Sequence, residues 1–405
     1  MAVHGDDPSG PGELREPRTS QGRALLDLLT GHLAQIRADA EENDRRAAFP
    51  AETFMNLRKD GALGATVPVE LGGLGLGCLH DVCLALLTVA EADASTALAL
   101  HMQLSRGLTL AYEWRHGDDL ARSLAERLLR AMGSGEGVIC TTVKDAPRVR
   151  TTLAPAPGGG WVLSGRKTLA SMAPIATHFV ISALIDKDGG TPHAAAAVVS
   201  RQSPGFAVLD DWDGLGMRAS GSVDVRMDGC TVPAGDVFLR GPVGAHDDGA
   251  LAGQTVSSIT MLGIYTGIAQ AARDAAVGML RRRGGTPKAG VRTLIAEIDA
   301  QLYALRTTVA ACLANADYLS YEFTGDAGER GRRMMHAFQR TKLMVNRLAP
   351  DIVDGCLTMI GGASYTAANP LSRYYRDVRA GGFMHPFGYP DAVDYLSGVA
   401  LPQGE

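Results

Sequence analysis

The pattern of apolar and polar positions changes twice along the chain. From residue 21 to 135 apolar residues recur at helical spacing, and the stretch LHDVCLALLTVAEADASTALALHMQL is apolar on nearly every side. Residues 136–240 carry short runs rich in β-formers, such as VICTTV and HFVISALI, between turns rich in Gly and Pro. From 241 to 405 the helical spacing returns, as in Ile298, Leu302 and Leu305. We therefore expect an N-terminal helical domain, a central antiparallel β domain and a C-terminal helical bundle.

The first 20 residues are rich in Gly, Pro and charge and contain no apolar run, which predicts a disordered tail and not a signal peptide. No apolar stretch in the chain reaches the roughly 18 residues that a membrane-spanning helix needs. The six cysteines have no CxxC spacing, which is typical of buried thiols in a reducing compartment. These features predict a cytoplasmic protein that does not contact a membrane.

Charge and motif spacing narrow the class of ligand. The net charge is −5 and the Lys and Arg residues are dispersed, so the sequence offers no basic surface for nucleic acid. No HxxH or HExxH spacing is present, so we expect no metal site. A small-molecule substrate is the partner that remains.

Four motifs, taken in chain order, resemble the acyl-CoA dehydrogenase superfamily. They are GALGATVPVELGGLGLG at 61–77, GGGWVLSGRKTLASMAP at 158–174, WDGLGMRASGSVDVRMDGCTVP at 212–233 and MIGGASYTAANPLSRYYRDVRAG at 359–381. The resemblance implies an α+β fold that is mostly α, with a C-terminal four-helix bundle. It also implies a homotetramer, or a dimer, with a flavin between the β domain and the bundle.

The same resemblance implies which residues hold the flavin. Thr142 and Ser171 match positions that hydrogen-bond the flavin ring, and Gly361 and Gly362 match backbone that approaches the flavin of a neighbouring subunit. Arg282 lies in a region where the family places an arginine on the flavin pyrophosphate. Structural roles are the alternative. Thr142 and Ser171 could be ordinary strand residues, and Gly361 with Gly362 could cap a helix end. Arg282 could complement the dipole of its helix.

The chain departs from the dehydrogenases where they carry their base. Those enzymes remove a proton with a carboxylate, either nine residues after the Arg of the RD pair or in the helix that opens the C-terminal bundle. Here the first position is His385, counted from Arg376, and the second falls at Ser257 or Ser258. The flavin-side segment that usually begins TE reads TTVKDAPRVRTT, with Val143 after the threonine.

These departures resemble the flavin-dependent monooxygenases of the superfamily, which include amino-sugar N-oxygenases and dibenzothiophene monooxygenases. The resemblance implies FAD or FMN reduced by a separate flavin reductase, with O2 as cosubstrate and a flavin C4a-hydroperoxide. Histidine, with a pKa of about 6.5, suits proton transfer near neutral pH. We therefore predict that His385 is catalytic, with His101 as a second candidate for proton transfer or substrate contact. A purely structural role is the alternative for both histidines.

The leading hypothesis is N-oxygenation of an amine or amino sugar in antibiotic biosynthesis. Two alternatives stay open: an acyl-thioester dehydrogenase with FAD, and a non-catalytic homologue that binds flavin or an acyl ligand. The dehydrogenase predicts that an acyl thioester reduces the bound flavin without oxygen. The non-catalytic homologue predicts turnover with neither substrate.

Overall fold

The computed structural model describes residues 12–186, 190–244 and 247–401. The N-terminal part is helical, and its helices are α1 (Ser20–Arg46), α2 (Ala51–Lys59), α3 (Leu79–Ala90), α4 (Ala94–His116) and α5 (Asp119–Gly133). The continuous apolar stretch of residues 79–104 is divided between α3 and α4. Asp93 divides it because its carboxylate accepts hydrogen bonds from the backbone N–H and the hydroxyl of Thr96, at 2.8 and 2.7 Å, and so caps α4.

Eight strands form one sheet in the middle of the chain. They are β1 (Ile139–Thr142), β2 (Thr152–Pro155), β3 (Trp161–Ala170), β4 (His178–Ile185), β5 (His193–Ser200), β6 (Phe206–Val208), β7 (Val223–Val232) and β8 (Val237–Pro242). The order is β6-β7-β3-β2-β4-β5-β8, and β1 also pairs with β4. Most neighbours are antiparallel, as predicted. The β1–β4 and β2–β4 pairs are parallel, which the strand pattern alone did not reveal.

The C-terminal part is helical again. Its helices are α6 (Ala250–Val256), α7 (Leu262–Arg283), α8 (Ala289–Tyr321), α9 (Ala327–Ile360), α10 (Pro370–Val378) and α11 (Tyr389–Ala400). Helices α7 to α10 pack together as the predicted four-helix bundle, with Ile298, Leu302 and Leu305 of α8 buried in its core. Helix α7 also lies close against α3, because a Cβ at Gly263 would stand 2.1 Å from the carbonyl oxygen of Cys83. The predicted α+β fold, mostly α, is confirmed.

The predicted disordered tail is wrong for residues 12–19. Leu14 is fully buried, and its carbonyl accepts a hydrogen bond of 2.9 Å from Arg306 of α8. The backbone N–H groups of Arg18 and Thr19 donate to the carboxylate of Asp81 at 2.8 and 2.9 Å. Local composition gave no sign of these distant partners. Residues 1–11 of the tail lie outside the described residues, and the domain bounds 21–135, 136–240 and 241–405 stay a prediction.

One glutamine fixes the β domain against the N-terminal helices. The side-chain amide of Gln103, inside α4, donates to the carbonyl of Gly137 at 3.0 Å and accepts from the N–H of Ile139 at 2.9 Å. Gln103 is fully buried, so both bonds are shielded from water. Strand β1, which carries Thr142, therefore starts at a fixed place on α4. In the part of the chain that is described, no helix is long and apolar enough to cross a membrane.

Candidate functional site

Thr142 and Ser171 lie together at one end of the β domain. Thr142 ends β1 and its hydroxyl donates to the carbonyl of Thr168 at 3.4 Å, while Ser171 follows β3 directly. The hydroxyl of Ser171 lies 2.7 Å from that of Ser222, and the thiol of Cys140 donates to the Ser171 carbonyl at 3.2 Å. The fold therefore places the two predicted flavin contacts beside each other.

Backbone strain is concentrated around Ser171. Leu169 and Met172, on either side of it, have φ angles of 61° and 70°, and Met217 has a φ of 52°. Non-glycine residues rarely adopt this left-handed region, and such residues cluster at binding and catalytic sites. Leu169 and Val143, sequence neighbours of Ser171 and Thr142, are 42% and 47% exposed, whereas Thr142 and Ser171 themselves are buried.

These residues fit a flavin. An isoalloxazine ring needs an apolar surface for its face and hydrogen-bond donors for its polar edge. Leu169 and Val143 supply exposed apolar surface, and Thr142 and Ser171 supply hydroxyl groups. The rebuilt segment after Thr142 is itself held in place, because the buried ammonium of Lys167 donates to the carbonyl of Val143 at 2.9 Å.

His385 lies in an irregular loop after a 3-10 turn at Arg379–Phe383, and its side chain is exposed. Although the residue is exposed, its ring is partly buried, and this burial lowers the pKa of His385 below its ordinary value. The positive charges of Lys342 and Lys144 lower it further. The charge of Lys144, two residues after Thr142, acts on the His385 ring, so the loop lies within electrostatic range of the segment that follows β1. At neutral pH the imidazole is neutral and can accept a proton.

His101 is a different kind of histidine. It is 1% exposed in the middle of α4, and its Nδ1 lies 3.2 Å from the hydroxyl of Thr260. Burial lowers the pKa of His101 to about 4, so the ring stays neutral over the physiological range. Thr260 belongs to the short turn just after Ser257 and Ser258, the second position where dehydrogenases carry a carboxylate. The structure therefore places His101 beside that position.

Gly361, Gly362 and Arg282 lie at the opposite end of the bundle. Helix α7 begins two residues after Thr260 and has 22 residues, so its far end is roughly 33 Å away at 1.5 Å per residue. There the guanidinium of Arg283 donates to the carbonyl of Ile360 at 3.3 Å, and Gly361 caps α9 with a φ of 73°. A Cβ on either glycine would meet nothing within 4 Å. Within one chain, these three residues are therefore separated from His101 by the length of α7.

Sequence reasoning missed Lys342, a buried lysine under the His385 loop. Its ammonium donates to the carbonyl of Phe387 at 2.7 Å and also to that of Met384. Burial lowers the pKa of Lys342 to about 8. A signal was present, because Lys342 interrupts an apolar stripe of α9 at helical spacing, formed by Phe338, Val345, Ala349 and Ile352.

Arg106 was also missed. It contacts the hydroxyl of Thr141 on β1, and its buried Nε has no hydrogen-bond partner among the described residues. Burial lowers the pKa of Arg106 to about 10. The described residues contain no cluster of three or more His, Cys, Asp or Glu that could hold a metal ion.

Models of three protein-domain families match successive parts of the chain between residues 27 and 387. The acyl-CoA dehydrogenase N-terminal domain matches residues 27–136, the middle domain 141–230 and the C-terminal domain 259–387. The chain belongs to the acyl-CoA dehydrogenase family. The family predicted from the four motifs is therefore confirmed.

Individual relatives separate the branches of this family. An L-evernosamine nitrososynthase from Micromonospora sp. (strain ATCC 39149 / NRRL 15099 / SCC 1413) is 60% identical over 96% of this chain and 92% of its own length. The solved structure of KijD3 in complex with FMN and dTDP-3-amino-2,3,6-trideoxy-4-keto-3-methyl-D-glucose is 60% identical, with a TM-score of 0.95 and 97% of both chains covered. A putative acyl-CoA dehydrogenase, YdbM of Bacillus subtilis (strain 168), is 28% identical over 93% of this chain and 96% of its own length.

This chain belongs with the nitrososynthases of the family, which are N-oxygenating enzymes. The prediction of an N-oxygenating flavoenzyme in preference to an acyl-thioester dehydrogenase is confirmed. The nitrososynthases share twice the identity that the putative dehydrogenase shares with this chain, 60% against 28%. No comparison tests the individual site residues, so their roles stay predictions.

Proposed function

We propose that this protein oxidises the amino group of a thymidine-diphosphate-linked amino sugar to a nitroso group, with FMN and O2. The observation that carries the proposal is the 60% identity to an amino sugar nitrososynthase over 96% of the chain. A neutral histidine in place of the dehydrogenase carboxylate supports it, because an N-oxygenase has no carbon-bound proton to remove. The thymidine diphosphate group and FMN are proposed because the related KijD3 structure contains FMN and a dTDP-linked amino sugar.

The reaction requires two oxygen transfers to the same nitrogen. The first converts R–NH2 to a hydroxylamine, and the second gives R–N(OH)2, which loses water to form R–N=O. Each transfer consumes one O2 and one reduced flavin. One oxygen atom of that O2 is added to the nitrogen, and the other leaves as water. A separate flavin reductase supplies the reduced flavin in this scheme, because each oxygen transfer oxidises one flavin that must then be reduced again by two electrons.

The residues of the chain have distinct roles in this proposal. When bound, reduced flavin supplies the activation of O2. Thr142 and Ser171 hold the polar edge of the ring, and Leu169 and Val143 cover its apolar part. Only a neutral amine has a lone pair for attack on oxygen, and a neutral His385 can accept the proton that leaves the nitrogen. His101 forms the buried wall beside Thr260.

A second copy of the chain completes the flavin site in this proposal. Gly361, Gly362 and Arg282 lie at the far end of α7, roughly 33 Å from Thr260 and from His101 beside it, so within one subunit this group is remote from His101. Both glycines leave open space around their Cα atoms, which suits close approach by another molecule. We propose a homotetramer in which these residues contact the flavin of a neighbouring subunit.

The test is to load the protein with FMN, reduce it under anaerobic conditions, and mix it with oxygenated buffer and a thymidine-diphosphate 3-amino sugar. Mass spectrometry follows the conversion of the amine to the hydroxylamine and then to the nitroso sugar. A parallel anaerobic sample, loaded with oxidised FAD and not reduced, receives an acyl thioester in place of the sugar. Loss of the sugar amine supports the proposal. If the thioester bleaches the oxidised flavin and the sugar is unchanged, the protein is an acyl-thioester dehydrogenase. If neither sample reacts, it is a non-catalytic homologue.

A further inference from the structure

Lys342 holds the loop that carries His385 through backbone carbonyls. Its side chain is 2% exposed, and its ammonium donates to the carbonyl of Phe387 at 2.7 Å and lies 3.4 Å from that of His385. It also contacts the carbonyl of Met384. An ammonium has three N–H donors, so these three carbonyls match its full capacity.

Burying an ammonium at this position destabilises the fold unless the charge is compensated. Phe338, Val345 and Ile352 occupy the same face of α9 and are fully buried, so an apolar residue would continue the stripe. Removing a cation from water carries a large desolvation penalty, and burial is the cause that lowers the pKa of Lys342. Charge-assisted hydrogen bonds to three carbonyls offset that penalty only while the loop lies over the lysine.

The loop has little other backbone support. In the described structure, the N–H of Met384 donates to the carbonyl of Gly381 at a long 3.4 Å, and the next backbone bond beyond the loop joins Ala392 to Gly388. The ring of Phe387 packs against Tyr395 of α11 with 5.3 Å between centroids. The lysine therefore satisfies the backbone carbonyls at 384, 385 and 387, while the side chains of Met384 and Phe387 pack against the hydrophobic core.

We propose that Lys342 is a positioning residue, which fixes the loop 384–387 on α9 and thereby sets the place and the electrostatic surroundings of His385. The importance of His385 rests on the proposed function; the anchoring of the loop does not. The charged groups that face His385 are Lys342 on α9, Lys144 after β1 and Asp391 on α11. The two lysines oppose protonation of the imidazole, and Asp391 favours it.

The two lysines form a matched pair for the test. Lys342→Met removes a charge and the loop anchor, whereas Lys144→Met removes a charge from an exposed residue. Lys342→Gln removes the charge but keeps two N–H donors, and it serves as the second variant if Lys342→Met folds poorly. Hydrogen–deuterium exchange of residues 384–391 measures the anchor, and NMR titration measures the pKa of His385, assigned with His385→Gln.

We expect exchange in the loop to become roughly tenfold faster or more in Lys342→Met and to stay at the wild-type rate in Lys144→Met. The pKa of His385 should rise in both variants, and Lys342→Gln should raise it while keeping part of the loop protection. Wild-type exchange in Lys342→Met, or an unchanged pKa of His385, would overturn the proposal. If both change but the N-oxygenation rate and its pH profile do not, the positioning role stands and the catalytic role of His385 fails.

Discussion

The two candidate histidines differ in their exposure and in the charged groups around them. His101 is enclosed by α4 and the Thr260 turn, and its pKa of about 4 keeps it neutral at physiological pH. His385 is exposed in a loop, and partial burial of the ring together with the charges of Lys342 and Lys144 lowers its pKa. The same side chain can therefore stay neutral inside the core at His101 and remain open to a proton at His385, the residue proposed as the proton acceptor, because its surroundings set its proton affinity.

The largest expected effect is the loss of activity in His385→Gln. Glutamine preserves much of the size and one hydrogen-bond donor but cannot take up a proton. We expect the N-oxygenation rate at pH 7.5 to fall by about 10²–10⁴-fold, the usual contribution of a general base. The rate of product formation under saturating sugar measures this. FMN affinity within about twofold of wild type would show that the flavin site is intact, and a rate near wild type would remove His385 from the mechanism.

The second prediction concerns stability against pH and depends on His101. Its folded pKa of about 4 lies below the unfolded value of 6.5, so the unfolded state binds more protons between these values. Stability from this group is complete above pH 6.5 and is lost as pH falls to 4, by about 3 kcal/mol. We expect urea unfolding of His101→Leu/Thr260→Val, which removes both hydrogen-bond partners, to depend less steeply on pH than wild type.

Asp377 provides the necessary reference in that experiment. Burial raises its pKa to about 7, so its contribution has the opposite sign and weakens the folded state as pH rises from its ordinary value toward 7. The difference between the double variant and wild type cancels this term. Parallel stability curves for the two proteins would mean that His101 binds a proton equally well in the folded and unfolded states.

The third prediction separates the two histidines by activity. Because His101 cannot take up a proton near neutral pH, we expect His101→Leu/Thr260→Val to reduce the N-oxygenation rate by less than about tenfold, well below the His385→Gln effect. Rates at pH 7.5 on the same FMN-loaded preparations make the comparison. A loss as large as that of His385→Gln would place His101 at the reacting atoms.

The smallest effect is expected at the far end of the bundle. Gly362→Leu should not disturb a single subunit, because its Cβ would meet nothing within 4 Å, but it should obstruct a neighbouring molecule. We expect about tenfold weaker FMN binding, equivalent to about 1.4 kcal/mol, with an unchanged unfolding midpoint. Gly235→Leu is the matched control, since its Cβ also meets nothing. Equal FMN affinity in both variants would argue against a flavin site shared between subunits.

The sequence was most informative where a feature is local and repeated. Four motifs in a fixed order predicted the fold, and helical spacing located the seam of α8. The sequence was less informative where a polar group stops or redirects the chain. Asp93 divides one apolar stretch into two helices, and Asp81 holds residues 18 and 19, which composition assigned to a disordered tail.

The candidate site was only partly accessible to sequence reasoning for a related reason. Motif positions placed Thr142 and Ser171, and the fold brings them together. The anchoring of the His385 loop depends on Lys342, more than 40 residues earlier in the chain, and the contact of Arg106 with Thr141 also joins separate elements. Such contacts arise from tertiary packing, which no local spacing encodes.

The most direct test of the account is the pH dependence of single-turnover N-oxygenation in wild type and His385→Gln. Both proteins are loaded with reduced FMN and a thymidine-diphosphate 3-amino sugar and mixed with O2 from pH 5 to 9. We expect the wild-type rate to rise with pH through a pKa below 6.5 and this step to be absent in His385→Gln, where only the ionisation of the substrate amine remains. Superimposable profiles in the two proteins would contradict the claim that His385 accepts the proton.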